Sequence, residues 1–254
     1  MARKRRTPAD EPHLIVRSLA SSFEAGARTG RHLHAWHQLI YASSGVLTIW
    51  TERGSWITPP QRAVFVPAGV AHEIGFAAKS ALRTLYLRPE WSGALPADCA
   101  VITVSPLLRE LILRATQDGM LDGREPIDAA LAALIVDEFR QARVPPFELP
   151  QPESPRLRRA AELIAGDVAT GTGDAARGAG MSKRALERAF RAETGMSPGH
   201  WRRQRALLAA IERLAGGAPI KQVAADAGYA TPSAFTAAFR KQFGVTPGRY
   251  FAAA

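Results

Sequence analysis

"AGMSKRALERAFRAETGMSP" (179–198) and "AGYATPSAFTAAFRKQFGVTP" (227–247) say nearly the same thing twice, 49 residues apart at most matched positions. Gly180 answers to Gly228. Leu186, Phe190, Arg191, Gly195 and Pro198 answer to Phe235, Phe239, Arg240, Gly244 and Pro247, and the second copy carries one extra residue after its first glycine. A repeat of this length is one supersecondary unit used again. In each copy a short helix closes on a glycine, which accepts the left-handed conformation of a tight turn. A hydroxyl residue, Ser182 or Thr231, then caps a second helix. Leu186 and Phe190 lie four apart on one face, as do Phe235 and Phe239, and that face packs back on the first helix.

The opposite face of the second helix carries Lys183, Arg184, Glu187, Arg188 and Arg191 in one copy, and Pro232, Ser233, Thr236, Arg240 and Lys241 in the other. Such a helix fits a B-DNA major groove about 12 Å wide, its first turns meeting base edges. A plain helical hairpin with a solvated charged face fits one copy equally well. Two copies, joined by a long helix over 197–217, favour double-stranded DNA. Charge agrees. Net charge is +10, and residues 151–254 hold 16 basic against 8 acidic side chains while residues 1–150 hold 17 against 15. Basicity confined to one domain is the footprint of a nucleic-acid binder.

The second copy resembles the signature of the AraC/XylS family of bacterial transcription regulators, over residues 220–250. Ile220, Val223, Ala224, Gly228, Tyr229, Ser233, Phe235, Phe239, Arg240, Lys241, Phe243, Gly244, Thr246, Pro247 and Tyr250 all match. Phe251 departs from it, standing where the family usually has arginine. The resemblance implies two helix-turn-helix units bridged by a rigid helix at about 198–215, entering successive major grooves on one face of DNA. RNA polymerase would be a further partner if the protein activates.

Ahead of the repeat the chain changes character. "VPPFELPQPESP" (144–155) holds five prolines, excluding a helix or central strand, and reads as a stiff linker. "SPLLRELILRATQDG" (105–119) and "EPIDAALAALIVDEFRQAR" (125–143) read as amphipathic helices, the first with Ser105 as N-cap and Pro106 behind it. Their stripes, Leu107, Leu108, Leu111 and Ile112 in one and Leu131, Leu134 and Ile135 in the other, suit the interface of a homodimer or the protein's own barrel. Residues 13–90 alternate short apolar runs with Gly, Pro and Ser, as in a small sandwich or barrel. The expected fold is therefore α+β in two domains: a basic tail (1–12), a β-barrel sensor with two helices (13–143), the linker (144–155) and an all-α tandem helix-turn-helix domain (156–254).

"GRHLHAWHQLIYASSG" raises a second site. His32 and His34 share parity on a strand, Gln38 has the same parity, and His72 ends "PAGVAH". This resembles the cupin pattern of His-x-His, then Glu or Gln, then a later His, over roughly residues 28–88. The resemblance implies metal ligands at His32, His34, Gln38 and His72, suited to Zn, Ni, Fe or Mn. The glutamine replaces the commoner glutamate and weakens the hold on a metal. The same residues serve equally as polar contacts in a cavity for an organic effector, and a purely structural barrel is a third reading. A cupin enzyme, a dioxygenase or isomerase fused to a DNA-binding domain, is the rival from another class, and no carboxylate ligand supports it. His37 has the wrong parity to join the ligands. One cysteine, Cys99, rules out an internal disulfide, no apolar run approaches the roughly 20 residues of a membrane span, and a cytoplasmic protein is expected.

Overall fold

Short apolar runs separated by Gly and Pro become strands because only alternate side chains need burying, and each turn needs a residue that bends. The computed structural model describes residues 11–59, 61–93, 95–141, 148–166 and 171–252. It falls into two units. The first contains β1 (Leu14–Phe23), β2 (His37–Ser44), β3 (Leu47–Trp50), β4 (Gly54–Thr58), β5 (Arg62–Val66), β6 (Glu73–Phe76), β7 (Ser80–Leu87), α1 (Pro89–Ser92), β8 (Ala100–Thr103), α2 (Pro106–Asp118), β9 (Met120–Asp122) and α3 (Pro126–Gln141). One sheet runs β8–β5–β2–β7–β1–β9, and β4, β3 and β6 are neighbours in a second. The two are joined through the stacked rings of Phe23 and Phe76, 4.0 Å apart, and the Arg28–Gly75 and His32–His72 bridges. Gly45 turns β2 into β3 at φ 86°, where a Cβ would come within 2.8 Å of the Lys79 carbonyl.

The strand register decides which side chains reach the barrel interior. In β2, Leu39 and Tyr41 pack with Phe65 and Leu85 under α2 and α3. Gln38 and Ile40, one residue out of phase, point the other way, opposite Tyr86 and Thr84 of β7. Ser105 caps α2 by accepting from Leu108 N.

Leu108, Ile112, Ile135 and Phe139 fill the core between the helices and the sheet. This takes Leu108, Ile112 and Ile135 out of the expected dimer interface. Leu108 and Ile135 are wholly buried in their own domain, and Leu111 and Leu131 pack partly against the same core. Leu107 and Leu134 remain about half exposed, at 50% and 49%. Two strands of this unit, β8 and β9, also lie outside the 13–90 stretch that reads as short strands. Each pairs at an edge of the six-stranded sheet.

The second unit is helical: α4 (Pro155–Gly166), α5 (Thr172–Gly178), α6 (Lys183–Thr194), α7 (Pro198–Ala215), α8 (Ile220–Asp226), α9 (Pro232–Phe243) and α10 (Pro247–Ala252). These fall where the repeat places them. Gly180 and Gly228 take φ of 67° and 80° at the two turns. Leu186, Phe190, Phe235 and Phe239 are fully buried. Phe190 meets Trp201 of α7 edge-on at 5.8 Å, and Phe239 meets Tyr250 of α10 at 5.3 Å. The 18 residues of α7 span about 27 Å at 1.5 Å per residue.

The proline-rich segment is not a free spacer from residue 148 onward. Glu148–Pro150 forms a short strand, β10, whose carbonyls are taken up by α7: Trp201 Nε1 donates to Pro150 O and Gln204 Nε2 to Glu148 O, both at 2.7 Å. Gln151 N donates to Arg53 O in the β3–β4 hairpin tip, Trp50–Ser55, which groups with this unit. Glu193, in the last turn of α6, accepts from Glu153 N and Ser154 N at 2.7 and 3.0 Å and so caps the approach to α4. Residues 1–10 of the basic tail, residues 144–147 of the linker and the side chain of Phe251 lie outside the described residues.

Candidate functional site

Ser182 and Thr231 cap α6 and α9 as their hydroxyls predict, accepting from Ala185 N and Ala234 N at 3.2 Å. That fixes the first turn of each helix, where base contacts are made. Lys183, Arg184, Arg188 and Arg191 of α6 are exposed with Ser182, and Glu187 is half-buried. On α9, Thr231, Pro232, Ser233, Arg240 and Lys241 are exposed and Thr236 is half-buried. Buried apolar positions and exposed polar ones thus alternate with the helical period on both helices. The four cations of α6 make no ion pair among the described residues, so their charge is available to a polyanion. The chemistry of the two helices differs: α6 offers forked and point-charge donors near its start, whereas α9 offers a proline, two hydroxyls and Ala237, with its cations in the last turn.

The second site lies in the barrel. His32, His34 and His72 bring ring nitrogens within 4.8 Å of one another. His32 and His72 face each other across a bridge, N to O at 2.9 and 2.8 Å. His34 precedes β2 in a loop, with a bend at residues 35–36, so the chain's path and not strand parity turns it inward. Gln38 completes the group: its Oε1 lies 2.8 Å from His34 Nε2 and 2.9 Å from His72 Nε2. Sequence reasoning grouped these four, and the fold brings all four together. His37, set aside on parity, accepts from Ala68 N at 3.0 Å elsewhere; burial lowers its pKa, against an upward pull from Glu90.

Hydrogen bonding fixes the electronic state of the cluster. The Nδ1 atoms of His32, His34 and His72 lie 2.9, 2.6 and 2.9 Å from the carbonyls of Gly30, Trp36 and Val70. A carbonyl only accepts, so each Nδ1 carries the proton and each neutral ring offers a lone pair at Nε2. Gln38 is oriented from behind. Its Nε2 donates to Thr84 Oγ1 at 2.9 Å, and that hydroxyl donates to Leu39 O at 3.0 Å. The amide oxygen therefore faces two Nε2 lone pairs with no hydrogen between them. With the amide in this orientation a proton or a metal ion between them relieves the contact, whereas the amide turned over donates to both rings. Burial disfavours the proton on His72, lowering its pKa to about 4, with the Val70 bond opposing and the neighbouring histidines reinforcing. Imidazoles that donate Nδ1–H to backbone carbonyls are also the usual supported form of metal ligands. The residues present fit a divalent ion.

Thr84 and Tyr86 escaped the sequence reading. Their signal is in "SALRTLYL", where Leu82, Thr84 and Tyr86 share the face opposite Ala42, Ile40 and Gln38. Tyr86 meets the His34 ring edge-on at 5.1 Å.

A model of the AraC-like ligand binding domain matches residues 21–165, and one described as a helix-turn-helix domain matches residues 175–253. The HTH-type transcriptional regulator NimR of Escherichia coli is 36% identical over 223 residues, covering 87% of this chain and 81% of NimR. The chain belongs to the AraC family of transcription regulators. It is a DNA-binding regulator with a ligand-binding N-terminal domain. The regulatory protein SoxS of Escherichia coli is 42% identical over 76 residues, covering 30% of this chain and 71% of SoxS. Among solved structures, fatty-acid-bound ToxT from Vibrio cholerae covers 93% of this chain and 95% of its own, at 11% identity and a TM-score of 0.39. Among the described residues no helix is long and apolar enough to cross a membrane.

Proposed function

We propose that this regulator senses a divalent transition metal (Zn, Ni, Fe or Mn) held by His32, His34, Gln38 and His72, and that the metal forms part of the signal controlling its grip on a promoter. The carrying observation is the convergence of His34 Nε2 and His72 Nε2 on the Gln38 amide oxygen, at 2.8 and 2.9 Å, with His32 beside them. An ion among them turns three mutually repelling acceptors into one coordination sphere. The protein is not an enzyme on this reading, and it works in the cytoplasm. Elemental analysis after incubation with each of the four salts should find about one metal per chain, lost in the double change His34→Ala, His72→Ala. No metal under any of these conditions would leave an organic effector as the ligand.

On DNA the two units play different parts. Arginine and lysine pair with guanine O6 and N7, and glutamate accepts from cytosine N4, so Lys183, Arg184, Glu187 and Arg188 specify one half of the site. Pro232, Ser233, Thr236 and Ala237 reach thymine methyls and specify the other half loosely, while Arg191, Arg240 and Lys241 hold phosphates. The halves lie about 10 to 10.5 base pairs apart. The protein acts as a homodimer through the exposed edge of α2 and α3, centred on Leu107 and Leu134 with the flanks of Leu111 and Leu131. When it activates, RNA polymerase is its further partner.

A further inference from the structure

The helices that read DNA, α6 and α9, are both tied to one short piece of chain. Residues 148–154, which are β10 and the four that follow it, include Pro150 and Pro152, whose rings lock φ and stiffen the segment. Its backbone is gripped at both ends. At one end Glu153 N and Ser154 N donate to Glu193, in the last turn of α6. At the other its carbonyls accept from Trp201 and Gln204 of α7. These two residues are three apart in the chain, so they share one face of that helix.

Each of the two also holds a DNA-reading helix. The Trp201 ring meets Phe190 of α6 edge-on. Gln204 is 4% exposed and bonded at both ends of its amide. Its Nε2 donates to Glu148 O at 2.7 Å, and its Oε1 accepts from Gln242 Nε2 of α9 at 3.0 Å. A carbonyl cannot donate, so the Glu148 bond fixes which way the Gln204 amide faces and turns its oxygen toward α9. A buried amide bonded in this way specifies one arrangement, because moving α9 breaks a hydrogen bond in a place poor in water.

We propose that residues 148–154 act as a strap that fixes α9 relative to α6, with Gln204 as its positioning residue, and that the strap sets the half-site spacing the protein accepts on DNA. This rests on both helix-turn-helix units binding DNA, as read above. One extra base pair between the halves displaces the second groove by about 3.4 Å and turns it by about 35°. Helices held in one arrangement cannot follow that change, whereas a loosened pair can.

The test uses the full-length protein and four DNAs: its selected site, the same site with the halves one base pair closer or one farther apart, and the half read by α6 alone. Affinities are measured by fluorescence anisotropy. Wild type should lose roughly tenfold or more at either altered spacing. Gln204→Met, of similar volume but without the amide, should lose about threefold or less there, while binding the α6 half within about twofold of wild type. Gln242→Met cuts the same bond from its half-buried side and should behave alike. If Gln204→Met does not fold, Gln242→Met decides the matter alone. A spacing penalty of wild-type size in the variants, or a loss of affinity equal on all four DNAs, overturns the proposal and leaves the two-unit reading standing. Relief in Gln204→Met but not in Gln242→Met also overturns it, because the bond to α9 is then not what acts. A wild type that binds all four DNAs alike overturns the two-unit reading, and the proposal with it.

Discussion

Replacing Gln38 by methionine has an expected effect opposite in sign to the usual one. Gln38 is 1% exposed, and losing a buried, well-bonded amide normally costs about 1–3 kcal/mol. Here only one of its contacts is a favourable hydrogen bond in the metal-free protein, the donation to Thr84. Its loss costs about 1 kcal/mol, and it strands no hydroxyl proton, because Thr84 still donates to Leu39 O. Against that, the variant buries a thioether of similar volume and removes two acceptor–acceptor contacts, together worth about 1–2 kcal/mol. The metal-free Gln38→Met protein should therefore be as stable as wild type or up to about 1 kcal/mol more so. Calorimetry in chelator, following the barrel's transition, measures this; roughly 3–4 °C accompanies each kcal/mol. With metal the order reverses. At a free concentration 100 times its dissociation constant, the ion adds about 2.7 kcal/mol to wild type. A tenfold weaker site gains only about 1.4 kcal/mol at the same concentration. A loss of 3 kcal/mol or more in the metal-free variant would refute the reasoning. It would mean that the amide donates to both rings and satisfies the site without an ion.

The remaining predictions concern the other surfaces. Arg184→Ala or Arg188→Ala should cost about 1–3 kcal/mol of binding and relax one or two base positions in selection from randomised DNA, whereas Ser233→Ala should do little. Lys241→Ala should weaken all sequences alike and reduce the salt slope by about one. Leu108→Ala should cost about 2–5 kcal/mol of stability, and Leu134→Lys should leave stability within about 0.5 kcal/mol while shifting light scattering at ten micromolar (about 10 µM) from dimer to monomer. Burial tends to raise the pKa of Glu193, but the Ser154 and Glu153 amides it caps lower it overall, so its contribution to stability is present above pH 4.5 and fades as pH falls below that. Glu193→Gln should flatten that part of the acid-unfolding curve.

The helical half could be read from sequence because its signals are local. Ser182, Gly195, Thr231 and Gly244 mark helix ends within a turn of the residues they govern, and the repeat supplied an internal check. The grouping of the four barrel residues came from the cupin resemblance; the strand parity argued for three of them does not hold, because His32 and His34 precede β2. What escaped is non-local. β9 is three residues long and owes its existence to pairing with β1, over a hundred residues away, so no window around Met120–Asp122 announces it. The burial of Leu108 and Ile135 depends on a sheet lying beneath them, and an amphipathic stripe looks the same whether a sheet or a second subunit covers it. Thr84, which sets the orientation of Gln38, is visible only once β2 and β7 are in register.

The central claim is that the histidine cluster controls DNA occupancy through a bound ion. Its most direct test is the affinity of full-length protein for its own selected DNA site, measured by fluorescence anisotropy with metal loaded and with metal chelated. A coupling of about 1–3 kcal/mol between the sites corresponds to a change of roughly 5- to 150-fold. Wild type should show at least the lower figure, and the double change His34→Ala, His72→Ala should show none while still binding the site. Equal affinity of loaded and chelated wild type, or a metal response that survives in the double variant, would contradict the account.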